Sequence, residues 1–144
     1  MGPGGEEGRI VGTRPLLAVD VTRGTTLGDR IGLAGDPWAR MKGLLGREGL
    51  EDGEGLWIRP TNSIHMCFMR FAIDALFLSR DLRVVGMAHD LRPWKMAGPI
   101  WAARSVLELP AGTLARAGCA LGDQIEIGSA DGPGGRHSCL PPLT

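Results

Sequence analysis

Apolar and polar residues trade places every few positions along this chain, with turn-forming residues between the runs. LLAVDVT (Leu16 to Thr22) is rich in strand formers, and TLGDRIGLA (Thr26 to Ala34) resumes after Arg23-Gly24, which predicts a first hairpin. Asp36-Pro37 then places an N-cap before a proline. Trp38, Met41, Leu44 and Leu45 recur at helical spacing, and Gly46 suits a left-handed C-terminus, so a short amphipathic helix is predicted over Pro37 to Leu45. LWIRP (Leu56 to Pro60) reads as a strand stopped by its proline, and NSIHMCFMRFAID (Asn62 to Asp74) follows as strand material. DALFLS (Asp74 to Ser79) and RVVGMAHDL (Arg83 to Leu91) form a second predicted hairpin around Arg80-Asp81-Leu82.

RPWKMAGPIW (Arg92 to Trp101), with two prolines and two tryptophans, reads as a long ordered loop. ARSVLELP gives a strand ended by Pro110, AGTLARAG a short helix closed by Gly118, and GDQIEI a final strand. The expected fold is mainly β: a small single-domain β-barrel or sandwich of about seven short strands with two short helices. Two helices cannot supply the crossovers that a parallel βαβ sheet needs.

Composition narrows the picture further. The 144 residues match one domain, and 23 glycines with 10 prolines fit frequent turns between short elements. Residues 1–8 and the tail from Gly128 to Thr144 are too poor in apolar residues to repay ordering, which leaves residues 9–127 as the globular domain. Lys and Arg number 16 against 16 Asp and Glu, so no global field favours nucleic acid or an anionic membrane. No apolar run reaches the roughly 18 residues of a membrane span, and the N-terminus lacks a basic start and an apolar segment. A cytoplasmic location is expected for the chain as written, with export of a longer precursor left open. Three cysteines, Cys67, Cys119 and Cys139, form neither a CxxC pair nor a disulfide framework. GxGxxG, P-loop, HExxH and GxSxG motifs are absent, and no cofactor is expected.

Four segments in order, MKGLLGR (Met41 to Arg47), IHMCFMRFAIDALFL (Ile64 to Leu78), ARSVLELPAG (Ala103 to Gly112) and GCALGDQIEI (Gly118 to Ile127), resemble the bacterial and archaeal family known as domain of unknown function 192. The resemblance covers most of the body. It implies a compact, mainly β fold with a short helix on GLLGR, no established reaction, and in many relatives an export or lipoprotein leader. Met66 and Asp74 match the family pattern, whereas His65 stands at its tryptophan, Cys67 at its lysine and Ala72 at its proline. A ligand pocket built on that aromatic therefore does not carry over.

Among candidate chemical groups, strand alternation across NSIHMCFMRFAID would put His65, Cys67 and Met69 on one face and Ile64, Met66 and Phe68 on the other. An imidazole, a thiol and a thioether suit a soft metal or zinc, with His89 as a fourth ligand. Cys and Met are also ordinary core fillers, and core packing with one hydrogen-bonded histidine is the favoured reading. Asp74 interrupts an apolar run, where a carboxylate needs partners; Arg47, Arg70 or a nest of backbone donors could serve. His89 and Asp90 beside Arg92 could make an acid/base pair with Asp74. Glu108 in VLELP is expected on a solvent face, and Asp123 is expected to bond its own turn.

Three functional readings follow. The leading one is a non-catalytic binding or accessory module, a monomer that recognises a small ligand or a protein through the loop bearing Arg92, Trp94 and Trp101. The second is an enzyme or metalloprotein centred on His65, Asp74 and His89. The third, resting on association alone, is an accessory factor for secretion or pilus assembly.

Overall fold

The computed structural model describes residues 14–35 and 47–129. The helix predicted over Pro37 to Leu45, and most of the MKGLLGR segment, fall outside those residues.

Nine strands and one helix build the described chain: β1 (Leu16–Asp20), β2 (Thr25–Ala34), β3 (Glu54–Ile58), β4 (Ile64–His65), β5 (Ile73–Leu78), β6 (Val84–Leu91), β7 (Met96–Ala97), β8 (Ser105–Pro110), α1 (Thr113–Ala117) and β9 (Ile125–Ser129). Seven strands form one sheet in the order β6-β5-β8-β3-β2-β1-β9, and β4 pairs with β7 as a separate ribbon. Only β2 and β3 run parallel among these pairs, so the antiparallel expectation holds almost throughout. Both predicted hairpins, β1–β2 and β5–β6, are present. The final strand runs to Ser129, past the Ile127 boundary read from the sequence, because Leu16 and Leu17 pair with Ser129 and Gly128.

The sheet curls until its edges meet. Arg83 and Gln124 form an antiparallel bridge between the starts of β6 and β9, reinforced by Val84 N–H to the Asp123 carbonyl and Ile125 N–H to the Leu82 carbonyl, both 2.9 Å. The closure is local, so it covers the two sheet edges only at this end.

Strand alternation divides the interior into two cores. One holds Trp57, Leu76, Leu78, Leu107, Leu109, Leu114 and Ile125, while the other holds Leu56, Ile58, Ile73, Ala75, Phe77 and Val106 with Ile64, Met66 and Met69. Strands β5 and β8 lie side by side in the middle of the sheet and are buried at every position. This corrects the expectation for Glu108: it does project opposite to Leu107 and Leu109, but that side faces the second core, and the residue is fully buried. A covered sheet has no solvent face in its central strands.

Close strand approach depends on Gly55. A Cβ there would lie 2.7 Å from the Glu108 carbonyl oxygen and 2.8 Å from Ile31 Cδ1, so β3 or β8 would have to shift. Gly55→Ala is expected to destabilise by about 1–3 kcal/mol, the usual cost of overpacking. Chemical denaturation checks it; a stability equal to wild type would show that the contact relaxes freely.

Candidate functional site

Asp74 sits on β5 opposite an irregularity in β6, where Ile73 pairs with Leu91 and Ala75 with Ala88, so that His89 and Asp90 together oppose one residue. Asp90 adopts φ 52°, and its N–H donates to Asp74 Oδ1 at 2.9 Å. The other carboxylate oxygen, Oδ2, accepts from the Gly112 and Leu114 N–H groups at 3.0 and 2.9 Å. Helix α1 has no side-chain bond from its own N-cap, Gly112, and Asp74 supplies that cap from a neighbouring strand. Of the partners foreseen, the backbone nest is the one in place. Arg47 is instead bonded to Glu54 Oε1 at 2.8 Å.

The stretch from His65 onward is not a strand. β4 ends at His65, and the chain then turns: Met66 gives its N–H to the Lys95 carbonyl at 2.7 Å, and its own carbonyl accepts from Met69 at 3.2 Å and Trp94 at 2.8 Å. Loop 65–69 is thereby stitched to loop 92–96, and the alternation of faces is lost. Met66 and Met69 are both buried, Cys67 is half-buried, and His65 is exposed, its Nδ1 accepting from the Cys67 N–H at 3.4 Å. The expected apolar face of Ile64, Met66 and Phe68 is broken at Phe68, which turns out to water because its backbone is left-handed at φ 67°.

Trp94 on the facing loop is also left-handed, at φ 70°, and its ring meets that of Phe68 edge-on, with centroids 5.0 Å apart and planes inclined at 61°. Phe68, Trp94, Met96 and Trp101 are 59%, 63%, 65% and 78% exposed. A bulky side chain in the left-handed region costs about 1–2 kcal/mol, and two such residues touching each other in water form an unusual surface. The surrounding cations are Arg70, Lys95 and Arg92, all exposed, with Arg92 paired to the Asp90 carboxylate at 3.1 Å.

A second titratable cluster lies at the closing seam of the sheet. Arg23 grips Asp123 with both guanidinium arms, Nε to Oδ2 at 2.9 Å and Nη2 to Oδ1 at 3.1 Å, and the Ala120 N–H also donates to Oδ2 at 3.0 Å. The turn bond expected of Asp123 is thus present, with an arginine added. Burial would raise the Asp123 pKa, but Arg23 and the other hydrogen bonds outweigh it and hold the carboxyl below its ordinary range. Asp20 is fully buried; burial first and the neighbouring Asp123 carboxylate second push it up to about 6. Burial and Asp20 likewise push the Cys119 thiol up to about 12, which keeps it protonated and unreactive. The sequence carried a signal for this cluster: Asp20 ends an apolar strand as Asp74 interrupts one.

Among the described residues, no three His, Cys, Asp or Glu side chains are grouped so as to hold a metal ion. His65 is on β4 and exposed; His89 lies in the β6 irregularity and is also exposed; Asp74 is 1% exposed and turned to its backbone donors. No helix among the described residues is long and apolar enough to cross a membrane.

Comparison with known proteins places this geometry in a lineage. The chain is 28% identical over 115 residues to a UPF0127 protein of Thermococcus sibiricus, covering 76% of this chain and 73% of that protein. It is 35% identical over 68 residues to another UPF0127 protein, from Pyrococcus furiosus, covering 47% and 58%. A crystal structure of a protein of unknown function from Novosphingobium aromaticivorans superposes with a TM-score of 0.62 at 29% identity, over 78% of this chain and 83% of that one. A putative transcription regulator from Sinorhizobium meliloti gives 0.60 at 25% identity, over 77% and 90%. The model of the family described as Uncharacterized ACR matches residues 19–127, from the first strand to the last, and the chain belongs to that family, domain of unknown function 192.

Proposed function

We propose that this protein is a non-catalytic binding module that recognises a protein partner through the face carrying Phe68, Trp94 and Met96, extended along the same loop to Trp101. The observation that supports this is the pair of aromatic rings held in left-handed backbone and presented to water. Strain of this kind persists where surrounding structure imposes it, and here the Met66 hydrogen bonds to loop 92–96 do so. Trp, Phe, Met and Arg are the residue types enriched at the centres of protein interfaces, and a thioether adapts its shape to a partner. The flanking Arg70 and Lys95 would favour a partner with an acidic rim.

A catalytic centre on His65, Asp74 and His89 has less support. Both Asp74 oxygens are engaged by backbone N–H groups, which leaves the carboxylate poorly placed to exchange protons with substrate.

The test is photo-crosslinking from position 96 in native cells, followed by binding of the captured protein in purified form. Trp94→Ala and Phe68→Ala should each weaken that purified interaction by about 30-fold or more, the effect of losing an interface anchor, while thermal stability stays within a few degrees of wild type. If the purified partner binds the Trp94→Ala protein as tightly as wild type, the aromatic face is not the recognition surface.

A further inference from the structure

Among the described residues, two open clefts of about 610 Å³ each handle their charges differently. In the first, between β2 and α1, Arg30 lies 3.8 Å from Asp29 and 3.5 Å from Glu51, and Arg116 lies 3.6 Å from Asp52. Its arginines already have carboxylates. The second is lined by Arg59, which follows β3, Arg80 in the β5–β6 turn, and Arg104, which precedes β8. None of these three is ion-paired with a carboxylate among the described residues. Three arginines from three separate elements thus line one small concavity in a chain with no net charge, the Arg104 guanidinium also reaching the Trp101 and Ala103 carbonyls at 3.5 Å.

The walls of this cleft add two further observations. Trp57 and Ser105, 8% and 3% exposed, both line it, and neither the Trp57 Nε1–H nor the Ser105 hydroxyl has a hydrogen-bond partner. Unsatisfied buried donors are rare and cost about 1–3 kcal/mol each, and two of them lie in residues that form the wall of this arginine-lined cleft. Arg59 is also held in place: its guanidinium carbon lies 4.6 Å from the centre of the Trp57 ring, a cation–π arrangement that limits its freedom before any ligand arrives.

From this convergence we infer that the Arg59–Arg80–Arg104 cleft binds a phosphate-bearing small molecule. Planar guanidinium forks match the oxygens of a phosphate, and a dianion offers acceptors enough for several forks at once. The volume lies within the range of small-ligand sites. The cleft shares no lining residue with the aromatic face, although the Arg104 guanidinium donates to the Trp101 carbonyl at 3.5 Å.

Titration of uniformly ¹⁵N-labelled protein with inorganic phosphate, followed by NMR, tests the assignment. The expected result is a saturable shift of the Trp57 indole N–H signal with a Kd of about 1 mM or tighter, and a loss of about tenfold or more in affinity for Arg80→Ala and for Arg104→Ala. Both arginines are exposed, so these variants should fold normally. Glycerol 3-phosphate and citrate are titrated in parallel. Tighter binding of glycerol 3-phosphate than of phosphate identifies the occupant as an organic phosphate ester, and the reverse order identifies it as the free ion; both support the inference. Absence of saturation, equal binding by the arginine variants, or a preference for citrate over both phosphates overturns it.

Discussion

Asp74→Ala should lower the stability of this protein by about 3–5 kcal/mol at neutral pH. Removing the carboxylate leaves the N–H groups of Asp90, Gly112 and Leu114 without their acceptor in a site where Asp74 itself is 1% exposed. Each buried donor left unsatisfied costs about 1–3 kcal/mol, and helix α1 loses its cap at the same time. For a domain of this size the melting temperature should fall by roughly 10–25 °C in a thermal scan followed by circular dichroism. Asp74→Asn keeps one accepting oxygen but sets an amide NH₂ against a backbone donor, so it should recover only part of the loss. If Asp74→Ala melted within about 3 °C of wild type, the nest could not be what holds β5, the β6 irregularity and α1 together.

The second large effect is a dependence of stability on pH, set by Asp20. Its folded-state pKa of about 6 lies above the ordinary carboxylate value of 3.8, so the folded protein holds this proton more tightly than the unfolded chain. Stability from this group is therefore present at pH below about 4 and is lost as pH rises through about 6. A rise of about two units corresponds to about 3 kcal/mol, at 1.36 kcal/mol per unit. Asp123 works in the opposite sense. Its pKa is held down mainly by Arg23, so its contribution is present at neutral pH and is lost only on acidification below the ordinary carboxylate range. The two together predict greatest stability in mildly acidic solution, with a decline toward pH 7. Asp20→Asn removes the ionisation but keeps the shape; it should flatten the curve between pH 4 and about 7 and melt higher than wild type at pH 7. A wild-type stability that is flat over that interval, or rises through it, would contradict the raised pKa of Asp20.

Both predictions concern buried carboxylates, and both show how local structure and sequence relate here. Asp74 drew attention in the sequence because it broke the run between Ile73 and Ala75, and the structure answers with three backbone donors. Asp20 broke the end of LLAVDVT in the same way, and the same inspection would have singled it out. Its partners would still have been out of reach, because Asp123 and Arg23 are separated by 100 positions and meet only where the sheet closes on itself.

The reading of NSIHMCFMRFAID failed for a different reason. Period-two alternation places side chains on faces only while the chain stays extended, and here extension stops at His65. Nothing in the residue types announces a left-handed phenylalanine, since that conformation belongs to glycine or asparagine by intrinsic preference. It is imposed by hydrogen bonds from the Met66 N–H to the Lys95 carbonyl and from the Trp94 N–H to the Met66 carbonyl, which join residues nearly thirty positions apart. The consequence is functional as well as structural: Phe68, read as core, becomes half of the aromatic face, while the exposure of Trp94 and Trp101 matches the loop as it was read.

What the amino-acid sequence determined by itself was the class of fold and the longer strands of its sheet. Strand-forming runs bounded by glycine and proline, and one short helix closed by Gly118, are local properties, decided by propensities that act within a few residues. Tertiary structure alone decided what those elements cover. Glu108 is buried because β8 has neighbours on both sides and cores on both faces; Arg59, Arg80 and Arg104 share a cleft because three separate elements end beside one another. Burial and convergence depend on contacts between residues far apart in the chain, and neither residue type nor spacing encodes those contacts one position at a time.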